Sequence, residues 1–241
     1  DCVVFNFPAG DTVVLEHQNQ VYEQMIRDYG KDFVYSNFTV AGRPADKQEN
    51  YIKRCVGLPG DKLQIVDSKL MINDQEAYFD ENAQFTYKVV TDGTGFNEKT
   101  LQKKKITTEP IQQLANPNEF ELTLTNAAAE QVKQFSYVKS VEKVIEPLGY
   151  VYQFQKTPVF PNDTAYNWTR DNMGPFTIPK KGQTVKLDLN TLPLYRRIIH
   201  NYEGHDLKVE GGKIYIDNQV ADSYTFEMDY YWMMGDNRHN S

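Results

Sequence analysis

The sequence predicts a mainly β protein with an α/β insertion. Three observations carry this. Short apolar or alternating runs bounded by Gly, Pro, Asn and Asp recur along the chain, few stretches have helical spacing, and one set of runs occurs twice. With 241 residues the chain is long enough for one large or two small domains with real hydrophobic cores.

Residues 1–7 and 12–16 read as strands separated by the Pro8-Ala9-Gly10-Asp11 turn. Val21, Met25, Ile26 and Tyr29 have helical spacing, and Gly30 follows as a stop signal. Leu63-Gln64-Ile65 and Leu70-Met71-Ile72 read as a hairpin, with Asn73-Asp74 opening the next turn. Residues 119–124 alternate as a strand, residues 126–136 form a helix capped by Asn126, and residues 140–146 return to alternation. Residues 92–118 are polar and loop-dominated, and prolines and asparagines mark residues 158–179 as an irregular connection.

Composition excludes several classes of function. A net charge of −7 argues against a nucleic-acid partner, because phosphate binding needs clustered Lys and Arg. The short run Lys103-Lys104-Lys105 reads as a solvated loop. Cys2 and Cys55 have neither CxxC spacing nor a histidine cluster, so no metal site is expected, and they read as small core residues. No cofactor is expected: Gly93-Thr94-Gly95 lacks the third glycine of a dinucleotide loop. No run is apolar enough to span a bilayer. The abrupt opening strand, without Met, reads as a piece of a longer chain.

The repeat is specific. Gly10-Asp11-Thr12-Val13-Val14-Leu15 matches Gly182-Gln183-Thr184-Val185-Lys186-Leu187, and Val21, Tyr22, Met25, Ile26 and Tyr29 match Leu194, Tyr195, Ile198, Ile199 and Tyr202. Leu63, Ile65, Lys69, Leu70, Ile72 and Asn73 match Leu207, Val209, Lys213, Ile214, Ile216 and Asp217. The second copy omits residues 31–60, which gives that segment a role apart from scaffolding.

Within the omitted segment lies Asn50-Tyr51-Ile52-Lys53-Arg54-Cys55-Val56-Gly57-Leu58-Pro59-Gly60-Asp61. A lysine among apolar β-formers loses hydration, and a desolvated amine is a better general base. Taken alone, Lys53 reads better as a snorkelling side chain on an edge strand. The second polar string is Met233-Met234-Gly235-Asp236-Asn237-Arg238-His239-Asn240-Ser241, where an apolar run delivers a glycine and a dense hydrogen-bonding cluster.

Together, Tyr51 to Asp61 and Gly235-Asp236-Asn237-Arg238 through Asn240-Ser241 resemble two signature boxes of the bacterial type I signal peptidases. Asp1-Cys2-Val3-Val4-Phe5 resembles the strand box that precedes them. The motifs cover a small part of the chain, but their order and near-gapless match are specific. The resemblance implies a Ser–Lys dyad that removes signal peptides from secreted preproteins. By it, Lys53 is the general base and Ser241 the hydroxyl that orients it. Arg54, Gly235, Asp236, Asn237 and Arg238 form the supporting network, and Asn50 and Ile52 border the substrate groove. It further implies a signal-peptidase-like, repressor-peptidase-like β core. That partial core comprises residues 1–80 and 222–241. Residues 81–221 are inserted, with an α/β unit near 119–146 and a repeated hairpin unit near 178–221. The full-length protein would be anchored in the bacterial inner membrane with its catalytic domain on the periplasmic side, and this fragment would be soluble.

Two departures qualify the resemblance. The family's nucleophilic serine lies in a Ser-Met-x-Pro box upstream of the first strand box, and Ser36, Ser68, Ser136, Ser140 and Ser223 lack that context. His239 stands where an aspartate is more usual. The chain as given is therefore expected to be inactive. A non-catalytic module that binds a peptide or a partner on the same fold is the alternative, and the self-cleaving repressor-type peptidases, which lack the Gly-Asp-Asn-Arg box, are a third.

Overall fold

The computed structural model describes residues 1–6, 12–44, 47–48, 50–77, 81–106, 111–151 and 159–239. Its strands form small antiparallel sheets. β1 (Cys2–Asn6), β4 (Asn50–Gly57) and β18 (Trp232–Met234) form one, with β4 in the centre. β5 (Lys62–Val66), β6 (Lys69–Ile72) and β7 (Gln75–Glu76) form a meander that β12 (Met173–Thr177) completes by pairing with β5. β8 (Gln84–Thr91), β9 (Gln112–Gln113), β10 (Glu119–Thr125) and β11 (Val138–Lys143) form a sheet in the order β11-β8-β10-β9. β14 (Leu207–Glu210), β15 (Lys213–Ile216) and β16 (Gln219–Val220) form a second meander. Two-stranded pairs join β2 (Thr12–Val14) to β3 (Val40–Gly42) and β13 (Thr184–Lys186) to β17 (Ser223–Thr225).

The helices are short. α1 (Tyr22–Tyr29) ends at Gly30, whose φ of 87° suits a residue without a Cβ, and α2 (Lys31–Asn37) follows immediately. Their inner faces enclose a small core of Val14, Met25 and Val34. The expected strand over residues 12–16 stops at Val14. There Leu15 turns to donate to the Thr39 carbonyl at 3.0 Å, and Glu16 accepts from the Thr39 amide and hydroxyl.

No element is expected at β8 from the readings above, yet Phe85, Tyr87, Val89 and Thr91 alternate along it and are buried. β8 is central, and β10 and β11 both pair with it rather than with each other. α3 (Glu98–Lys103), capped by Asn97, and α4 (Asn126–Val132) close its core around Phe85, Val89, Leu101, Leu122 and Leu124. The cap of α4 is Thr125 and not Asn126: the Thr125 hydroxyl accepts from the Ala128 amide at 3.1 Å. Asn126 is already helical, and its side chain accepts from the Tyr87 hydroxyl at 2.6 Å.

The repeat persists at the level of single hydrogen bonds. Both turns of each meander use residues with positive φ: Asp67 and Ser68, then Asn73 and Asp74, against Gly211 and Gly212, then Asp217 and Asn218. The Asn73 amide donates to the Lys62 carbonyl as that of Asp217 donates to Asp206, both at 2.9 Å. The amides of Lys62 and Asp206 return bonds to the Asn73 and Asp217 side chains. The second meander packs with α5 (Leu192–Arg197) and the π-helical turn Ile198–Tyr202 around Leu192, Tyr195, Ile199 and Phe226.

The core reading of the cysteines does not hold. Cys2 is exposed and Cys55 half-buried, because β1 and β4 build the thin sheet at the site rather than a packed core. The turn Pro8-Ala9-Gly10-Asp11 lies outside the described residues.

Gly174, within β12, has φ of 89°, and a Cβ there would stand 2.7 Å from the Leu63 carbonyl oxygen. Gly174→Ala is expected to cost about 1–3 kcal/mol, read by urea unfolding. A midpoint equal to that of the wild type would contradict the close packing of β12 on β5.

Candidate active site

β4 carries the lysine string through the centre of its sheet. Its register with β1 pairs Lys53 with Val3 and Tyr51 with Phe5, and its register with β18 pairs Cys55 with Met233 and Arg54 with Met234. Directly opposed residues share a face. Val3, Phe5, Tyr51, Lys53, Cys55 and Met233 therefore line one face, and Val4, Asn50, Ile52, Arg54 and Met234 the other. Among the described residues no strand pairs with the outer edge of β1.

Lys53 is half-buried, with Nζ 5.7 Å from the centroid of the Tyr51 ring two residues back on the same face. Asn50 is exposed, and so are Ile52 and Val4, at 69% and 63%. An apolar strip thus faces outward beside β4's exposed end. At the other end, Gly57 admits Ile178 and β18 closely: a Cβ there would stand 2.3 Å from Ile178 Cδ1 and 3.3 Å from Trp232 Cβ.

On the face away from Lys53, the two sequence strings meet. Arg54 Nε donates to Asp236 Oδ1 and Arg54 Nη2 to Asp236 Oδ2, each at 3.0 Å, across 182 residues. This two-pronged geometry fixes Asp236 in direction as well as distance. Gly235 connects β18 to the turn. There the Gln84 amide donates to the Asp236 carbonyl at 2.7 Å and the Arg238 amide to the Gln84 carbonyl at 2.9 Å. Asn237 sits opposite Gln84 in a single parallel bridge, and Arg238 Nη1 lies 3.1 Å from the Met234 sulfur. Ser241 lies outside the described residues, so its proposed contact with Lys53 has no geometry.

Next to this turn is a buried polar cluster that the sequence reading missed. His239 Nε2 lies 2.9 Å from Asp171 Oδ1. Asp171 also accepts from the Ser68 hydroxyl at 2.5 Å and from the Glu146 amide at 2.9 Å. Burial opposes the Asp171 charge, but the bonds from His239, Ser68 and Glu146 outweigh it and hold the carboxyl below its ordinary value. Burial pushes the nearby Lys143 ammonium down, with Asp171 opposing that shift, and Lys143 Nζ lies 3.4 Å over the Phe85 ring. The available signal was Thr169-Arg170-Asp171-Asn172, a polar run set against the apolar strand that follows it. Among the described residues, no group of three potential metal ligands forms, and no helix is long and apolar enough to cross a membrane.

The model of the family described as "Signal peptidase, peptidase S26" matches residues 1–117. The chain is 44% identical over 43 residues to a signal peptidase I of Rickettsia akari (strain Hartford), covering 18% of this chain and 16% of that protein. It is 52% identical over 33 residues to the signal peptidase I of Rickettsia typhi (strain ATCC VR-144 / Wilmington), covering 14% of this chain and 12% of the relative. The match to that of Rickettsia prowazekii (strain Madrid E) has the same identity and coverage.

These matches support a signal peptidase family.

The alignments span less than a fifth of the length of these relatives. The peptidase S26 match points to hydrolase chemistry of the serine-peptidase class, and the β-rich architecture is consistent with it. Lys53 and Arg54 lie inside the matched residues and Asp236 outside them. No solved structure matches the chain.

Two outcomes follow from this geometry. A double-mutant cycle on Arg54→Ala and Asp236→Ala is expected to give a coupling of about 1–2 kcal/mol in urea unfolding, and Arg54→Lys to recover little of it. A coupling near zero would mean that the two strings are not joined through this pair. For Asp171 the folded-state pKa is the lower one, so its stabilisation is present above the unfolded carboxyl value and fades as pH falls through the folded value. Asp171→Asn should therefore flatten the loss of stability below about pH 4. Parallel acid limbs for the two proteins would count against the assignment.

Proposed function

We propose that the chain carries the lysine half of a Ser–Lys signal peptidase site, which cuts signal peptides from exported preproteins at the outer face of the bacterial inner membrane. The observation that carries this reading is the joining of two distant strings by the Arg54–Asp236 pair beside Lys53. The family match over residues 1–117, which include Lys53, supports it.

In this reading Lys53 takes the proton of a serine hydroxyl while the serine oxygen attacks the scissile carbonyl. The ammonium returns that proton to the leaving amine as the C–N bond breaks, and water, deprotonated in turn by Lys53, hydrolyses the resulting ester. Ser241 orients the amine. Arg54, Gly235, Asp236, Asn237 and Arg238 hold β4 and the turn in register, leaving Lys53 on the opposite face. Asn50 and the exposed Ile52 border the extended substrate, which adds beside the lysine strand. Ser68 and Ser223 place their hydroxyls on Asp171 and Asp222, and neither has the sequence context of the nucleophile. By this reading the 241 residues alone do not cleave signal peptides.

The purified 241-residue chain is expected not to cleave a preprotein. Cleavage abolished by Lys53→Ala would show that the chain supplies its own nucleophile, against this reading. In a longer form with a serine in the Ser-Met-x-Pro context ahead of Asp1, Lys53→Ala is expected to lower kcat by about 10²–10⁴-fold with unchanged melting. Undiminished cleavage by that variant would remove Lys53 from the role of base.

A further inference from the structure

We propose that His239 is a positioning residue. As a neutral imidazole it bridges β8 to the buried Asp171, and so fixes the Gly235-Asp236-Asn237-Arg238 turn against Arg54. The inference takes the candidate site from the peptidase reading, but its geometry stands apart from any cleavage.

The turn reaches β8 through two backbone bonds at Gln84. The next contact along the chain is a side chain: His239 Nδ1 lies 3.3 Å from the Thr86 amide nitrogen. A backbone N–H can only donate, so Nδ1 must carry its lone pair there, and the ring proton must sit on Nε2. Nε2 then donates to Asp171 Oδ1 at 2.9 Å. The ring thus has one acceptor and one donor, each used once, on two different parts of the fold.

Both anchors are fixed. Asp171 is 1% exposed and also receives Ser68 from the turn between β5 and β6 and the amide of Glu146. Thr86 lies within the central strand of its sheet, between Phe85 and Tyr87 of its core. The His239 side chain is itself 7% exposed and meets the edge of Phe85 at 6.1 Å between ring centroids. The charged groups around the pair are Lys143 of β11 over the Phe85 ring, Glu146 and Arg170 paired at 3.7 Å, and Arg238 on the turn itself.

Adding a proton at Nδ1 would set two N–H groups face to face. A protonated His239 keeps Asp171 and loses Thr86, so the side-chain bridge to β8 opens while the backbone bonds at Gln84 remain.

The test uses the purified, ¹⁵N-labelled 241-residue chain. At about pH 8, long-range ¹H–¹⁵N spectra are expected to show His239 with its proton on Nε2. His239→Ala is expected to speed exchange of the Arg54 Nε proton about ten-fold with β10 and β11 amides unchanged. His239→Gln, which offers an acceptor and a donor, should restore most of that protection. A proton on Nδ1 in those spectra would overturn the proposal. So would Arg54 exchange within about two-fold of the wild type in folded His239→Ala. Should His239→Ala fail to fold, the wild-type tautomer and the glutamine variant decide. Neither readout involves cleavage, so loss of the peptidase reading in the Lys53 experiment leaves this result standing, and the reverse holds too.

Discussion

The pairing of β4 with β18, locked by Arg54 on Asp236, is the constraint on which the rest of the candidate site depends. Without it the lysine strand would have β1 alone for support, and β1 is an outer strand among the described residues. A two-stranded ribbon is marginal in water. The third strand gives β4 a partner on each side, and the charged fork prevents a slip in register. A slip of one residue would carry Lys53 to the face now held by Arg54. One ion pair therefore settles which face of the sheet presents the amine.

Much of this was legible in the sequence, for physical reasons that differ from element to element. The hairpin of β5 and β6 and its copy at β14 and β15 announce themselves, because tight turns demand residues that tolerate positive φ and the flanking strands alternate. The helix ending at Gly30 is readable from its stop signal. β8 escaped notice although its alternation is complete, since Lys88 and two threonines dilute its apolar content. The cap of α4 was misplaced by one residue because Thr125 and Asn126 are both good caps, and only the backbone angles decide between them.

The site divides in the same way. Lys53, Arg54 and Asp236 stand out because their strings are dense in unusual neighbours. Asp171 could not be found so: its importance comes from being brought, across a long stretch of chain, under the residue that follows Arg238. A buried carboxylate is tolerated there because three donors meet it. The two meanders make the same point on a smaller scale. Where the first holds Asn73 on Asp61, the second holds His205 on Asp217, so one backbone plan serves both with different polar partners.

The separation of 182 residues between Arg54 and Asp236 also sets an order of assembly. The cost of closing so long a loop falls on the chain before the contact rewards it, and non-local pairing slows folding. On the ribosome, β1 and β4 emerge together while β18 follows only after both meanders and the β8 sheet have been made. Those parts have cores of their own and can settle first. The lysine strand is therefore braced after the parts that lie between. It stays unlocked while the chain across those 182 positions is made, and the site closes only when β18 arrives.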